Sequence, residues 1–317
     1  MKTLTRIATI GLFVLSAGSA AAAPVGYSVN ADQAGGDELY AIDLANGTTS
    51  ARGPVRSATT EFTDVEGLAL APDGTLWAVD EANLSLFPVN TGNGTVDRNL
   101  VHPVRGLDAL SGNDFGMTFT CSGDLYVSTV ADGALYRLEL DGSATEIGAL
   151  GANISALAAY GNPTRLFGLS NGLQGENGTP DTRSLYEIDP ATGAATAVGP
   201  LGAAAADYYQ AGLAFDTDGV LWAITDRRSE AAELPSEILR LDTTTGAATR
   251  VAETAQSGFE SLAIASPSGC DGSEPPINAP AEFATPLPHI PTLDAWGRAG
   301  ATLALLLVGL AAVRRRF

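Results

Sequence analysis

The chain has 317 residues, 45% of them hydrophobic, with 36 acidic and 17 basic side chains and a formal charge of −19. Six of the basic residues (Lys2, Arg6, Arg298 and Arg314 to Arg316) but only one acidic residue, Asp294, fall in the two terminal segments, so the part between them is near −24. So acidic a surface lacks the basic stripe that phosphate contact requires, which excludes nucleic acid as a partner, and it favours cations.

Lys2 and Arg6 precede an apolar core, Ile7 to Ala17, and the small residues Ser19 to Ala23. This is the pattern of a secretory signal peptide over residues 1–23, to be handled by the Sec translocon and signal peptidase. Export also suits the two cysteines: Cys121 and Cys270 in an oxidising compartment are read as one disulfide.

Residues 24–265 form a repeat. Glu66 to Asp80 reads EGLALAPDGTLWAVD, Phe115 to Thr129 reads FGMTFTCSGDLYVST, and Ala211 to Thr225 reads AGLAFDTDGVLWAIT. Ile154 to Ser170 is the same unit with a small insertion, and each unit is followed by a second strand pair such as Ser184 to Gly199. Alternating apolar and polar residues broken by Asp-Gly, Thr-Gly and Asn-Gly predict hairpins. Four short strands at a period of about 40 to 50 residues predict propeller blades. The N-terminal segment lacks a first strand, and Glu260 to Ala265 matches Glu66 to Ala71. The expectation is therefore an all-β, five-bladed β-propeller closed by pairing the last strand with the N-terminal blade.

The first-to-second and third-to-fourth turns are tight, so the long connections gather on the opposite face, where binding residues are expected. There the inner strands begin. Six carboxylates (Glu66, Glu260, Asp64, Asp114, Asp80 and Asp226) are expected to converge on the channel mouth. Such a set suits a hard cation such as Ca²⁺, which takes 6–8 oxygen ligands; the competing reading is an acidic rim with no ion. Gly168-Leu169-Ser170-Asn171-Gly172 fits GxSxG but lacks the strand-to-helix elbow. Asp216-Thr217-Asp218-Gly219 opens like a calcium loop and is explained by a hairpin turn. Trp77, Tyr126, Phe167 and Trp222 share one repeat position and are expected in the inter-blade core. The repeat unit resembles those of NHL and gluconolactonase-type propellers. In lactonase-type members a Glu-Gly at the start of an inner strand helps to bind the metal, and Glu66-Gly67 resembles it; Ser261 after Glu260 departs from it.

Residues 266–289, rich in Pro, Gly, Ser and Ala, read as an unstructured spacer. Residues 290–317 then carry Ile290, Pro291, Thr292, Leu293, Trp296 and Gly297, the apolar run Ala299 to Val313, and the cluster Arg314, Arg315, Arg316. The run is shorter than the roughly 20 residues a bilayer core asks for, which Trp296 at the interface and snorkelling arginines offset. The arginines are expected to stay cytoplasmic. Motif, helix and basic cluster in this order resemble the IPTL-CTERM sorting domain of Gram-negative bacteria. The resemblance implies an exosortase-type protease as partner, anchoring by the C-terminal helix, and a final place at the cell surface or outside the cell. Two functions are compatible with these features: a non-enzymatic ligand-binding or scaffold propeller, or a metal-dependent hydrolase of lactonase or phytase-like type using the carboxylate mouth.

Overall fold

The computed structural model describes residues 24–31, 36–107, 114–172, 183–229, 232–273 and 275. The signal segment, most of the spacer and all nine sorting-motif residues, Ile290 to Arg316, lie outside the described residues. Among the described residues no helix is long and apolar enough to cross a membrane.

The alternating segments form five antiparallel sheets. Blade one holds β1 (Val25–Asn30), β2 (Glu38–Asp43) and β3 (Thr49–Pro54); blade two holds β4 (Val65–Leu70), β5 (Leu76–Asp80), β6 (Ser85–Val89) and the short β7 (His102–Pro103). Blade three holds β8 (Gly116–Phe119), β9 (Leu125–Thr129), β10 (Ala134–Leu138) and β11 (Ala144–Ala149). Blade four holds β12 (Ile154–Tyr160), β13 (Arg165–Ser170), β14 (Ser184–Ile188) and β15 (Ala195–Pro200). Blade five holds β16 (Ala211–Phe215), β17 (Leu221–Ser229), β18 (Ala232–Leu241) and β19 (Ala248–Glu253). Apolar residues that alternate along each strand bury between neighbouring blades. Phe62 stacks on Phe87 with centroids 3.9 Å apart, Phe167 lies edge-on to Phe215, and Trp222 is fully buried with its Nε1–H donated to Asp216. Asp216 also accepts the Asp218 and Val220 N–H groups, so the calcium-loop-like string is a hairpin turn.

The last strand completes blade one as expected, but not as a regular ladder. Only Tyr27↔Ala263 and Asn30↔Phe259 bridge it to β1. Between the bridges two residues on β1 thus face three on the closing strand, which is a β-bulge. Ser261 sits inside it, its Oγ taking the Val29 N–H and its carbonyl accepting the Ser28 hydroxyl at 2.5 Å. Side chain replaces backbone in this ladder.

Two features of the repeat set the shape of the ring. At the axis, Gly67, Gly116, Ala156, Gly212 and Ser261 stand at equivalent positions and let the inner strands meet closely: a methyl on Gly116 would lie 2.9 Å from the Ala156 backbone. At the rim, each third-to-fourth turn docks its glycine on the preceding blade. Gly193, at φ +78° and hydrogen-bonded to the Asp189 carbonyl, abuts Gly148 of β11, and a Cβ there would come within 2.5 Å of the Gly148 oxygen. Gly94 and Gly246 abut Gly53 and Gly199 in the same way.

Beyond the closing strand the chain does not leave at once. Ser268 bridges Tyr160 in parallel, Gly161 N–H donates to its carbonyl at 2.9 Å, and Cys270 is bonded to Cys121 with Cα atoms 5.5 Å apart. The disulfide is the pairing expected from composition. Residues 266–273 therefore form a strap across the tight-turn face, which differs from an unstructured spacer beginning at 266. The partners that hold it, Tyr160 and Cys121, are supplied by distant blades.

Candidate site: an acidic mouth at one end of the axis

Glu66 is the surplus residue of a bulge. β4 pairs Val65 with Asp80 and then Gly67 with Val79, leaving Glu66 unpaired in the ladder. Ser155 is the surplus residue of β12, between Ile154↔Ser170 and Ala156↔Leu169, and Glu260 that of the closing strand. A bulge re-aims the side chain it frees, and these three residues line one cavity of about 10 Å³ on the axis, space for a single water or ion. All three are buried, and the Ser155 Oγ, in a residue 3% exposed, has no hydrogen-bond partner.

Around Glu66 the loops bring more carboxylates. Asp64 immediately precedes β4 and Glu81 follows β5; oxygens of Asp64, Glu66 and Glu81 all lie within 4.8 Å of one another. Glu81 Oε2 accepts the Asp114 N–H at 3.1 Å, and Glu66 Oε2 accepts the Phe115 N–H at 2.8 Å, so the start of blade three is held by blade two. Asp114 adopts φ +41°, a left-handed conformation that a non-glycine residue takes at a cost. Its carboxylate accepts Asn171 Nδ2 at 2.7 Å and Gln210 Nε2, from blades four and five. Burial pushes the Glu66 carboxyl well above the usual carboxylate range, and the charges of Asp114, Glu81, Glu260 and Asp64 push it further.

Of the six carboxylates expected at the mouth, Asp64, Glu66, Asp114 and Glu260 are thus one electrostatic group. Asp80 does something else. Its Oδ2 accepts the Thr63 and Asp64 N–H groups and its Oδ1 accepts the Asn83 backbone and side-chain N–H groups, which fixes the two loops that present Asp64 and Glu81. Asp226 is fully buried within β17, one residue past its ladder with β16 and at an irregularity in its ladder with β18, its backbone exchanging hydrogen bonds with Tyr209 and Gln210. Neither belongs to the close carboxylate triplet. Glu81, Asn171, Gln210 and Ser155 were absent from the expected set. Glu81 and Asn171 do occupy one repeat column, the residue after the second strand, so column alignment was the signal available for them. Ser170 accepts the Ser184 N–H through its Oγ and lies buried at a strand end, so the GxSxG string forms no nucleophile elbow.

At the opposite end of the axis lies the strap. Ile264 to Ser268 cover a second cavity of about 30 Å³ among Leu68, Met117 and Phe215.

A family model described as "Repeat of unknown function (DUF6923)" matches residues 10–153. No curated protein matches the chain. Among solved structures, a protein of unknown function from Bacteroides caccae is 11% identical, with 76% of this chain and 98% of that one covered and a TM-score of 0.48. Virginiamycin B lyase from Staphylococcus aureus is 16% identical, with 72% and 69% covered and a TM-score of 0.39. A structure from work on the de novo evolutionary emergence of a symmetrical protein is 19% identical, with 77% and 99% covered and a TM-score of 0.45. At these levels the assignment of five blades stands on the sheets themselves.

Proposed function

We propose that this protein is an exported, envelope-tethered β-propeller that binds a ligand without catalysis, through a divalent cation held at the acidic mouth. The observation that carries the reading is the convergence of Asp64, Glu66 and Glu81 within 4.8 Å, with Asp114 and Glu260 close enough to act on Glu66. The donors are all oxygen and mostly anionic, which suits Ca²⁺ better than a softer metal. Glu66 and Glu81 each accept a backbone N–H from the start of blade three, which fixes both carboxylates at the mouth. The Ser155 hydroxyl, buried in the same cavity as Glu66 and Glu260, is a further neutral donor.

The topology supports the tethering part of the proposal. The last residues of the strap, Asp271 to Ser273, lie on the tight-turn face, opposite the mouth. A signal peptide over 1–23, processing by a Sec-type route, and the IPTL-CTERM-like tail over 290–317 with an exosortase-type partner would then place the propeller outside the inner membrane. A tether on the strap side turns the mouth and its long loops outward.

A second reading, a metal-dependent hydrolase, is favoured by one observation: Glu66 is a buried carboxyl of raised pKa beside a candidate cation site, the profile of a general acid or base. Calcium titration of chelator-treated protein, followed by thermal unfolding, tests the cation. Saturating calcium is expected to raise the midpoint, since a ligand at a hundredfold excess over its Kd adds about 2.7 kcal/mol. An unmoved midpoint overturns the cation-mediated reading. Chelator-sensitive turnover of lactone or phosphoester substrates would replace binding by hydrolysis.

A further inference from the structure

The seam that closes the ring is its thinnest. β4, β12 and β16 pair with their second strands over ladders of five or six registered residue pairs and β8 over four, whereas the closing strand reaches β1 through two isolated bridges. The same strand leads directly to the C-terminal part of the chain. Any load arriving from that side enters at residue 266, where the ring has least backbone pairing to resist it.

The strap interrupts that path. Cys270 is bonded to Cys121, in the turn between β8 and β9, and blade three does not adjoin blade one in the ring. The turn is itself closed by Thr120 N–H to Asp124 O at 2.9 Å and Gly123 N–H to Thr120 O at 3.0 Å. Between the closing strand and Cys270, Ser268 is bridged to Tyr160 of blade four, Gly269 packs on the Tyr160 ring, and the Tyr160 hydroxyl meets Ser273 Oγ at 3.3 Å. The strap is thus fastened to two blades, neither of which is the one that the closing strand completes.

We infer that the strap and the Cys121–Cys270 bond are a mechanical latch: pull from the C-terminal side is delivered to the inner hairpin of blade three and bypasses the closing strand. The sequence separation of 149 residues between the cysteines means that the bond also encloses blades four and five and the closing strand in one covalent loop. The load itself rests on the tethered reading above; the latch is a property of the propeller and is tested without a membrane.

The test is single-molecule pulling of the full-length chain in detergent at constant load, in two geometries. One handle sits in a peptide tag inserted after Gly74, a turn glycine with open space around it. The second sits either at the C-terminus or after Gly202, also an open position. The same folded molecules are measured before and after addition of a thiol reductant, so no variant has to fold without the bond. With the C-terminal handle, reduction is expected to shorten the lifetime under load at least about tenfold, equivalent to about 1.36 kcal/mol of barrier. It is also expected to expose an early release of the short segment from Phe259 onward. With the Gly202 handle, lifetimes are expected to stay within about twofold. An equal loss in both geometries makes the bond a general stabiliser and overturns the latch, as does an unchanged lifetime with the C-terminal handle. Neither result bears on where the cell places the protein, which fractionation reads separately.

Discussion

Glu66→Gln should move stability in opposite directions with and without calcium. In the ion-free protein Glu66 is 5% exposed and faces four other carboxylates, so its folded pKa lies well above its ordinary value of 4.5. A raised carboxyl pKa means that the folded state holds the proton longer than the unfolded chain. The contribution is therefore fully present below about pH 4.5 and is lost as pH rises through the folded pKa, at up to about 1.36 kcal/mol per pH unit. Glutamine keeps an oxygen to accept the Phe115 N–H and carries no charge, so the variant should lack this slope and be the more stable form at pH 7 in chelator. Calcium should reverse the order, because the parent gains about 2.7 kcal/mol at a hundredfold excess over Kd, roughly 5 to 10 °C in a body of this size, while the variant has lost a ligand. The assay is thermal or denaturant unfolding of both proteins from pH 5 to 8, with chelator and with calcium. If the variant keeps the parent's pH slope in chelator and is the less stable at pH 7, Glu66 is not the strained group described here.

Glu66→Gln combined with Glu260→Gln should abolish the calcium-dependent shift and leave the ion-free protein folded, as read by circular dichroism; a parent-like calcium response would show that the ion, if bound, sits elsewhere. Gly193→Ala should cost about 2–4 kcal/mol in denaturant unfolding, from a clash with the Gly148 carbonyl and a side chain forced to φ +78°; a cost below about 0.5 kcal/mol would mean that the rim contact is slack. Replacing Arg314, Arg315 and Arg316 with Ser should leave the precursor unprocessed or mis-sorted in a host with the cognate protease, and an unchanged mature mass and cell fraction would remove the sorting reading.

The number of blades and the closing partner were legible because they depend on alternation and turn chemistry, which are local. Glu260 to Ala265 announces itself by matching Glu66 to Ala71, and Trp222 by sharing a column with Trp77. The bulges were not legible, since a bulge is a relation between two strands and nothing in EGLALA alone says that Glu66 lacks a partner residue on β5. The rim glycines were half legible: Thr192-Gly193 reads correctly as a turn, while its second duty against Gly148 appears only once blades are side by side. The strap was misread because Pro267, Ser268 and Gly269 report weak local preference; the cysteine count gave the bond to Cys121, but nothing local registers Tyr160, which holds Ser268 and Gly269 from blade four. Glu81 and Asn171 were missed for a related reason: reading each unit along the chain hides a column that the ring folds into one mouth.

The inner strand's first residue shows how a near-symmetric repeat acquires a site. In blades three and five the equivalents of Glu66 are Phe115 and Ala211; the β16 ladder runs unbroken from Ala211↔Thr225, and that of β8 from Gly116↔Ser128. In blades one, two and four the equivalents are Glu260, Glu66 and Ser155, each the surplus residue of a bulge. Each polar residue thus carries two costs, an interrupted ladder and the desolvation of a buried side chain. The left-handed backbone of Asp114 adds a third cost at the same end of the axis. The repeat does not require them, because blades three and five form their inner ladders with Phe115 and Ala211 at this position. Local rules broken together at one end, on elements that obey them elsewhere, are the pattern expected of a functional site, which is why the proposed cation site is put there.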